Sequence, residues 1–299
     1  AQPLLGDNTG QPQEGYKTVA LLKYNTTDGS LAWRVMPQGD VTSLLRYASI
    51  NQVVVDSEGT VHALMGFAGG THLNGAITVP ASFTNILKYY IVTYNANGQY
   101  ISNTPLALEG YLLLNTTEFR YDENLDRYYI AGYRTNGDIF MLSPLTLNGT
   151  DLEDQAYIMA FNSEGTNIWL KEITSPSMFK DSRIYDLKID NDSSLYLSGK
   201  YYINVPYGGV SYGDYAFPTV VEGNVPYVMK LNTSGAVQWM TTPSGYTTEI
   251  YTGSHHNHAL VINGDEIGVA TQATNEIWGN VSVNLPTNHR SDPCLLRLN

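Results

Sequence analysis

The chain has 299 residues and a formal net charge of −12 at pH 7, with 42% hydrophobic and 15% charged residues. The acidic excess argues against a nucleic-acid partner, and the sequence contains no apolar run of the length that a membrane-spanning helix requires, so no membrane insertion is predicted. A single cysteine, Cys294, excludes a disulfide within the chain.

Residues 1–16 form a polar stretch, AQPLLGDNTGQPQEGY, that is rich in Gly, Pro and Gln. We interpret it as the flexible N-terminus of a mature protein from which an export signal has been cleaved.

From residue 17 onward a short apolar phrase recurs, and each copy ends on an asparagine. The copies are ALLKYN, YIVTYN, YIMAFN, YVMKLN and CLLRLN, which end at Asn25, Asn95, Asn162, Asn232 and Asn299. The intervals between these asparagines are 70, 67, 70 and 67 residues. A period this steady is typical of a repeat architecture.

A turn glycine and a tryptophan follow most of these asparagines. The pairs are Gly29 with Trp33, Gly165 with Trp169 and Gly235 with Trp239, while the second copy has Gly98 followed by Ser102. Asn, Asp, Ser and Gly tolerate positive φ or bond their own backbone, so each copy predicts a hairpin of two strands. We name these strands C and D, and strand D carries the tryptophan for burial.

A second phrase lies between these hairpins and has the form strand, Asp/Asn/Gly turn, strand, which we name strands A and B. The copies are QVVVDSEGTVHALMG, EFRYDENLDRYYIAG, DLKIDNDSSLYLSG and ALVINGDEIGVA. Four short antiparallel strands in about 68 residues are typical of one propeller blade. The sequence therefore predicts an all-β fold, a single β-propeller domain over residues 17–299 with about four blades. Because strand C occurs five times, five blades or a piece of a longer chain are the alternatives.

Strand A alternates between apolar and charged positions. In the second and third copies, one face carries Glu118, Arg120, Asp186 and Lys188. Because side chains alternate with period 2, these four residues lie on one face, and we expect them to line a central channel and pair with one another. A water-filled channel with mutually neutralised charges is one interpretation, and a binding or catalytic site is the other.

The complete pattern, strand-Asn-x-x-Gly-x-x-x-Trp and then strand-Asp-x-x-Gly-x-φ-Tyr-φ-x-Gly, resembles the SBBP-type repeats of secreted bacterial β-propellers. LKIDNDSSLYLSGKYYINVPYGG and PYVMKLNTSGAVQW are the most similar segments, and the resemblance covers residues 17–299. More distantly, the repeat is similar to that of pyrroloquinoline-quinone-type propellers. The resemblance implies an extracytoplasmic protein, secreted or at a bacterial cell surface, and it supplies no catalytic residues. Ser102 and Ala270, which replace a Trp and a Gly, depart from the pattern.

The loops that lead into strand A are the first candidate binding surface, because propeller loops converge at the channel mouth. Their polar or amphipathic residues are Asn51 and Ser49, Thr117 and Asn115, Tyr185 and Arg183, and His258 and His256. The histidines lack the spacing of a metal site, so a solvated loop is expected there and no metal is predicted.

The long links between strands B and C are the second candidate surface. The third link is rich in tyrosines, and Tyr207 and Tyr212 are candidates for stacking on sugars or binding a protein. Alternatively, the links form extra edge hairpins that the tyrosines pack down.

No catalytic motif and no cofactor site occur in the sequence, so we expect a non-catalytic binding or scaffold domain for adhesion at a cell surface. Its expected partners are a protein or a glycan. The alternatives are a glycan-active or quinoprotein-like propeller enzyme, and a purely structural module of a larger surface protein.

Overall fold

The computed structural model describes residues 19–36, 48–83, 86–110, 117–134, 136–138, 141–142, 144–175, 181–203, 209–219, 223–244, 257–264, 266–273, 275–284 and 292–298. These residues form antiparallel strands and one short 3-10 helix, and none of them lies in an α-helix, so the prediction of an all-β fold is confirmed. A search of the same residues for a helix that could cross a membrane finds none. The chain divides into two compact units, Ala1–Leu112 and Leu113–Asn299.

The described residues of the first unit contain four strands of one sheet and two hairpins. Its strands are β1 (Leu21–Tyr24), β2 (Leu31–Val35), β3 (Ala48–Val55), β4 (Val61–Phe67), β5 (Gly70–His72), β6 (Ile77–Val79), β7 (Leu87–Tyr94) and β8 (Tyr100–Gly110), with a 3-10 helix at Leu73–Gly75. β3, β4, β7 and β8 follow one another across the sheet. β1 pairs with β2, and β5 pairs with β6.

The second unit contains the remaining repeats. Its strands are β9 (Glu118–Asp122), β10 (Arg127–Tyr133), β11 (Asn136–Asp138), β12 (Met141–Leu142), β13 (Leu145–Leu147), β14 (Thr150–Asp151), β15 (Ala156–Asn162), β16 (Asn167–Thr174), β17 (Arg183–Ile189), β18 (Leu195–Ile203), β19 (Ser211–Tyr212), β20 (Tyr215–Ala216), β21 (Gly223–Leu231), β22 (Val237–Thr241), β23 (Asn257–Asn263), β24 (Glu266–Ala273), β25 (Glu276–Trp278), β26 (Val281–Val283) and β27 (Asp292–Leu298). The sheets run β9-β10-β15-β16-β19-β20, β17-β18-β21-β22 and β23-β24-β27.

The predicted repeat of strands A, B, C and D is present in the sheets. The order is complete in β3-β4-β7-β8, in β9-β10-β15-β16 and in β17-β18-β21-β22, and the last sheet has strands A, B and C. In every repeat the link between strands B and C carries a hairpin: β5–β6, β11–β12, β19–β20 or β25–β26. The links therefore contain extra hairpins, and β5–β6, β11–β12 and β25–β26 form separate two-stranded sheets. β19 also pairs with β16, so the third link extends the sheet of the preceding repeat.

The hairpin turns are built as the sequence predicts. The side-chain oxygen Oδ1 of Asn232 accepts hydrogen bonds from the backbone N–H groups of Ser234 and Ala236, at 3.0 and 2.9 Å. Gly235 has φ +76°, a conformation that residues with a Cβ rarely adopt. The Asp190 turn of the A–B hairpin uses its Oδ1 in the same way.

Within the second unit, successive sheets stack face to face. Along β18, Leu195 and Leu197 pack into a core shared with β10 and β15, while Tyr196 packs against residues of β23, β24 and β27. This alternation is the period of a strand that is buried on both faces. The third repeat is thus covered on each side by its neighbour in sequence.

The apolar face of strand A differs between the two units. Phe119, Leu187 and Leu260 are buried, as predicted for residues that face a neighbouring blade. Val53 occupies the same position on β3, and Val55 is the next residue on that face, but they are 39% and 63% exposed. Among the described residues of the first unit, the β1–β2 hairpin packs against the hydrophobic core, and it does not cover Val53 or Val55.

A glycine on strand B faces a buried tyrosine on strand C in three repeats. The pairs are Gly66 with Tyr89, Gly132 with Tyr157 and Gly199 with Tyr227. A Cβ on Gly199 would lie 2.7 Å from the Tyr227 hydroxyl, so the ring occupies the space that a larger residue would fill. In the last repeat Ala270 replaces the glycine, and Leu295 stands where the tyrosine would be.

Candidate functional site

Two of the predicted binding residues, Arg183 and Tyr185, lie at the start of β17 in the second unit. The sheet that contains β10 stacks on the sheet that contains β17. β10 ends at Tyr133, and the ring of this residue lies beside Arg183. Together with Asp181 and Lys200, these residues form a contiguous group that we name the Arg183 cluster.

The Arg183 guanidinium is held on two sides. Its central carbon lies 4.8 Å from the centroid of the Tyr133 ring, which places a cation over an aromatic face. Its Nε donates a hydrogen bond to Asp181 Oδ1 at 2.8 Å. The rings of Tyr133 and Tyr185 meet edge to face, with centroids 5.8 Å apart. These contacts fix the orientation of a long side chain that would otherwise be mobile.

Lys200 is the buried cation of the cluster. It lies opposite Arg183 in the pairing of β17 with β18, and its Nζ donates to Asp181 Oδ2 at 2.6 Å and to Asn224 Oδ1 at 2.9 Å. Burial lowers the pKa of Lys200, although Asp181 acts in the opposite direction. For Arg183, burial also acts to lower the pKa, but Asp181, Tyr185 and Tyr133 together outweigh it and the pKa is raised.

The backbone under Arg183 is fixed by close packing. The Tyr227 hydroxyl donates to the Arg183 carbonyl at 3.4 Å, and a Cβ on Gly199 would lie only 2.0 Å from that carbonyl oxygen. Only glycine therefore fits at position 199 while Arg183 keeps its place.

Tyr133, Asp181 and Lys200 were not among the residues predicted from sequence. One sequence pattern could have identified two of these residues, since Tyr133 and Lys200 each directly follow the glycine that closes strand B. The two positions are equivalent in consecutive repeats, and both lie beside the start of a strand A.

The second constellation is the strand A charge network of Glu118, Arg120, Asp186 and Lys188. One terminal nitrogen of Arg120 lies 2.5 Å from Glu118 Oε2 and 3.4 Å from Asp186 Oδ1. Lys188 Nζ lies 2.6 Å from the same Asp186 oxygen. The predicted pairing of these four residues is thus confirmed.

The network is also tied to the next repeat. The backbone N–H of Leu260 donates to Asp186 Oδ2 at 2.6 Å. Burial raises the pKa of Glu118 although Arg120 acts to lower it. The buried carboxylate of Asp186 thus accepts a hydrogen bond from a backbone N–H and lies beside two cations, Arg120 and Lys188. This arrangement is typical of a structural ion pair.

Three of the other predicted residues lie on a strand A or directly before one. Asn51 lies on β3 in the first unit and accepts a hydrogen bond from the Ser49 hydroxyl at 2.9 Å. Thr117 is buried ahead of β9. His258 lies on β23, whereas His256 and Tyr207 fall outside the residues that the structure describes.

Tyr212 is a correction to the prediction of an exposed binding ring. It lies on β19, is buried in the core of the second unit, and has a pKa raised by burial. The reason is the pairing of β19 with β16, which draws the link hairpin onto the sheet. Tyr201 is buried in the same core, so these tyrosines pack the link down.

The Arg183 cluster offers donors, an acceptor and aromatic rings for recognition. Among the described residues, no group of three His, Cys, Asp or Glu side chains is placed to hold a metal ion. No protein-family model matches the sequence, and no curated protein is significantly similar to it.

Proposed function

We propose that the chain is a non-catalytic β-propeller that serves as a binding or scaffold module outside the cytoplasm, secreted or at a cell surface. In this proposal it binds a glycan or a protein through the Arg183 cluster. The proposal follows the resemblance to SBBP-type repeats. Different observations support the propeller fold and the binding role.

The propeller itself is supported by the repeated sheet order and by the stacking of consecutive sheets in the second unit. A closed ring of this length has an expected radius of gyration of roughly 19 Å, and an open arrangement has a larger one. Small-angle X-ray scattering therefore tests the ring, and a clearly larger radius would contradict it.

The observation that carries the binding role is the position of Arg183, held between Asp181 and the face of Tyr133 with part of its side chain exposed. Rigid aromatic rings beside a fixed guanidinium are typical of recognition sites, because little side-chain entropy is lost when a ligand binds. Asp181 supplies an acceptor for a ligand hydroxyl, and Arg183 supplies donors.

An enzyme is the less favoured alternative. A carboxylate pair in an open pocket would support a glycan-active hydrolase. The carboxylates of the strand A charge network instead contact Arg120 and Lys188, and Asp186 also accepts the Leu260 N–H. Neither carboxylate is positioned as an unpaired acid or base, which favours a structural role for the network.

A binding experiment tests the proposal directly. The purified chain is screened against immobilised glycans and cell-surface protein extracts, and the hits are measured again with Tyr133→Ala. We expect the variant to lose about tenfold in affinity because it removes the ring under Arg183. Tyr100→Ala, a tyrosine 43% exposed in the first unit, is the control and should bind like the parent chain. Equal loss in both variants, or no ligand in any screen, contradicts the proposal.

A further inference from the structure

We infer that the ligand of the Arg183 cluster is an acidic glycan, a chain of sugars that carry carboxylates. This inference rests on the proposed binding function and adds the chemical class of the ligand.

The charges in the cluster do not cancel. Asp181 is a single carboxylate shared by two cations, with Oδ1 bonded to Arg183 and Oδ2 bonded to Lys200. One cation neutralises it, so the three groups together carry one positive charge. The chain as a whole has a net charge of −12, so this local positive charge is opposite in sign to the net charge of the protein.

The excess charge lies on the cation that a ligand can reach. The Lys200 side chain is 4% exposed, and Asp181 and Asn224 occupy its ammonium group. The Arg183 side chain is 29% exposed. Asp181 therefore divides its single negative charge between Lys200 and Arg183, and the positive charge that remains is accessible to a ligand at Arg183.

The geometry of Arg183 selects for a planar anion. A guanidinium has five N–H donors in a rigid plane, and Nε is directed at Asp181. Its terminal nitrogens match the spacing of a carboxylate, which they bind with two parallel hydrogen bonds. The Tyr133 ring on one side keeps this plane in place.

Aromatic rings favour a sugar as the carrier of that carboxylate. Tyr133 and Tyr185 are both partly exposed, and they meet edge to face beside the guanidinium. The C–H face of a sugar ring packs on aromatic carbon, and its hydroxyl groups can donate to Asp181. A uronic-acid residue thus combines the groups that the cluster is equipped to contact.

Isothermal titration calorimetry with matched ligands tests the inference. The probes are oligogalacturonate, its fully methyl-esterified form of equal length, and an oligoglutamate peptide. We expect the free acid to bind at least about tenfold more tightly than the ester, since the ester cannot form the charged bidentate pair. We also expect its affinity to fall several-fold between 50 and 200 mM salt.

Two variants assign the effect to Arg183. Arg183→Met should bring the acid and the ester to equal affinity, and Arg183→Lys should keep the charge but lose most of the preference, because an ammonium cannot form the planar pair. Thermal melting of each variant confirms folding.

Each remaining outcome is decisive. Equal binding of acid and ester by the parent chain overturns the inference and leaves the proposed binding function standing. Binding of oligoglutamate without oligogalacturonate also overturns it, in favour of an acidic peptide. If none of the three probes binds, the inference is overturned, and if the wider screens also find no ligand, the proposed function fails with it.

Discussion

The indole of Trp169 lies against Gly235 in the turn of the following repeat. A Cβ on that glycine would be 3.2 Å from three carbons of the indole ring, and Trp169 Nε1 donates to the carbonyl of Thr233 at 3.2 Å. Trp33 has the same relationship to the turn of Gly98, where its Nε1 donates to the Ala96 carbonyl at 2.9 Å. In these two repeats the tryptophan therefore joins its strand D to the C–D turn of the following repeat.

The first prediction concerns two tryptophans at the same repeat position. Trp169→Ala should lower the free energy of unfolding by about 3 kcal/mol, because it removes an indole packed and hydrogen-bonded under a turn. Trp239 is 37% exposed and packs beside Tyr196, so Trp239→Ala should cost about 1 kcal/mol. Urea denaturation of both variants measures the difference, and equal costs would contradict the proposed role of the turn.

The second prediction separates backbone strain from packing at the turn. Gly235 and Gly149 both have φ +76°, but a Cβ at Gly149 meets no atom within 4 Å. Gly149→Ala should therefore show the cost of positive φ alone, about 1 kcal/mol. Gly235→Ala should cost clearly more, because the new methyl group also presses on Trp169. The denaturation midpoints of the two variants are compared, and similar values would show that the Trp169 ring moves aside at little energetic cost.

The third prediction links a glycine to the Arg183 cluster. Gly199→Ala would place a methyl group against the Arg183 carbonyl and the Tyr227 ring, so β17 must shift. We expect a loss of about 3 kcal/mol in stability and of ligand binding as well. Gly268→Ala is the control, since its nearest neighbour would be 3.8 Å away and it also lies within a strand. Stability and binding close to the parent values are expected for that variant.

The fourth prediction is a pH dependence that originates at His72. This histidine is buried, its Nε2 donates to the Ala68 carbonyl at 2.7 Å, and burial lowers its pKa. The unfolded chain therefore takes up a proton near pH 6.5, whereas the folded chain does so only at lower pH. The free energy of unfolding should fall as pH decreases below about 6.5, by up to about 1.4 kcal/mol per pH unit.

The measurement is urea denaturation between pH 5.5 and 7.5. His72→Asn removes the titrating group, so its stability should change less with pH than that of the parent chain, whatever its absolute value. An unchanged slope in the variant would assign the pH dependence to other groups.

The fifth prediction concerns the strand A charge network. Asp186→Ala leaves Arg120 and Lys188 without one of their partners and the Leu260 N–H without its acceptor. We expect a loss of about 3 kcal/mol, because breaking a buried ion pair leaves a charge uncompensated. Asp186→Asn keeps an oxygen for the Leu260 N–H and should lose less. The opposite ranking of the two variants would mean that the hydrogen bond from the Leu260 N–H contributes little.

Features that depend on near neighbours in sequence or on the repeat period were predicted well. The hairpin turns follow from Asn, Asp and Gly at fixed positions, and the pairing of Arg120 with Asp186 follows from strand alternation combined with the repeat. Both arguments need only local geometry and a period.

The Arg183 cluster could be predicted only in part because it is assembled from separate strands. Tyr133 reaches Arg183 through the stacking of two sheets, and a single sequence does not state which sheet faces which. Tyr212 was assigned to the surface for a related reason. Its burial depends on the pairing of β19 with an earlier repeat, which no local pattern signals.

The pairing of β19 with β16 has a consequence for synthesis on the ribosome. The sheet that begins at β9 acquires its last strands only when residues 211–216 have left the exit tunnel, long after β16 itself has emerged. Until then Ile173 and Thr174 at the end of β16 lack their strand partners, and unpaired strand residues are a surface that captures other chains. Translation speed across the third repeat should therefore influence the yield of native protein, and a pause before residue 211 is expected to favour aggregation.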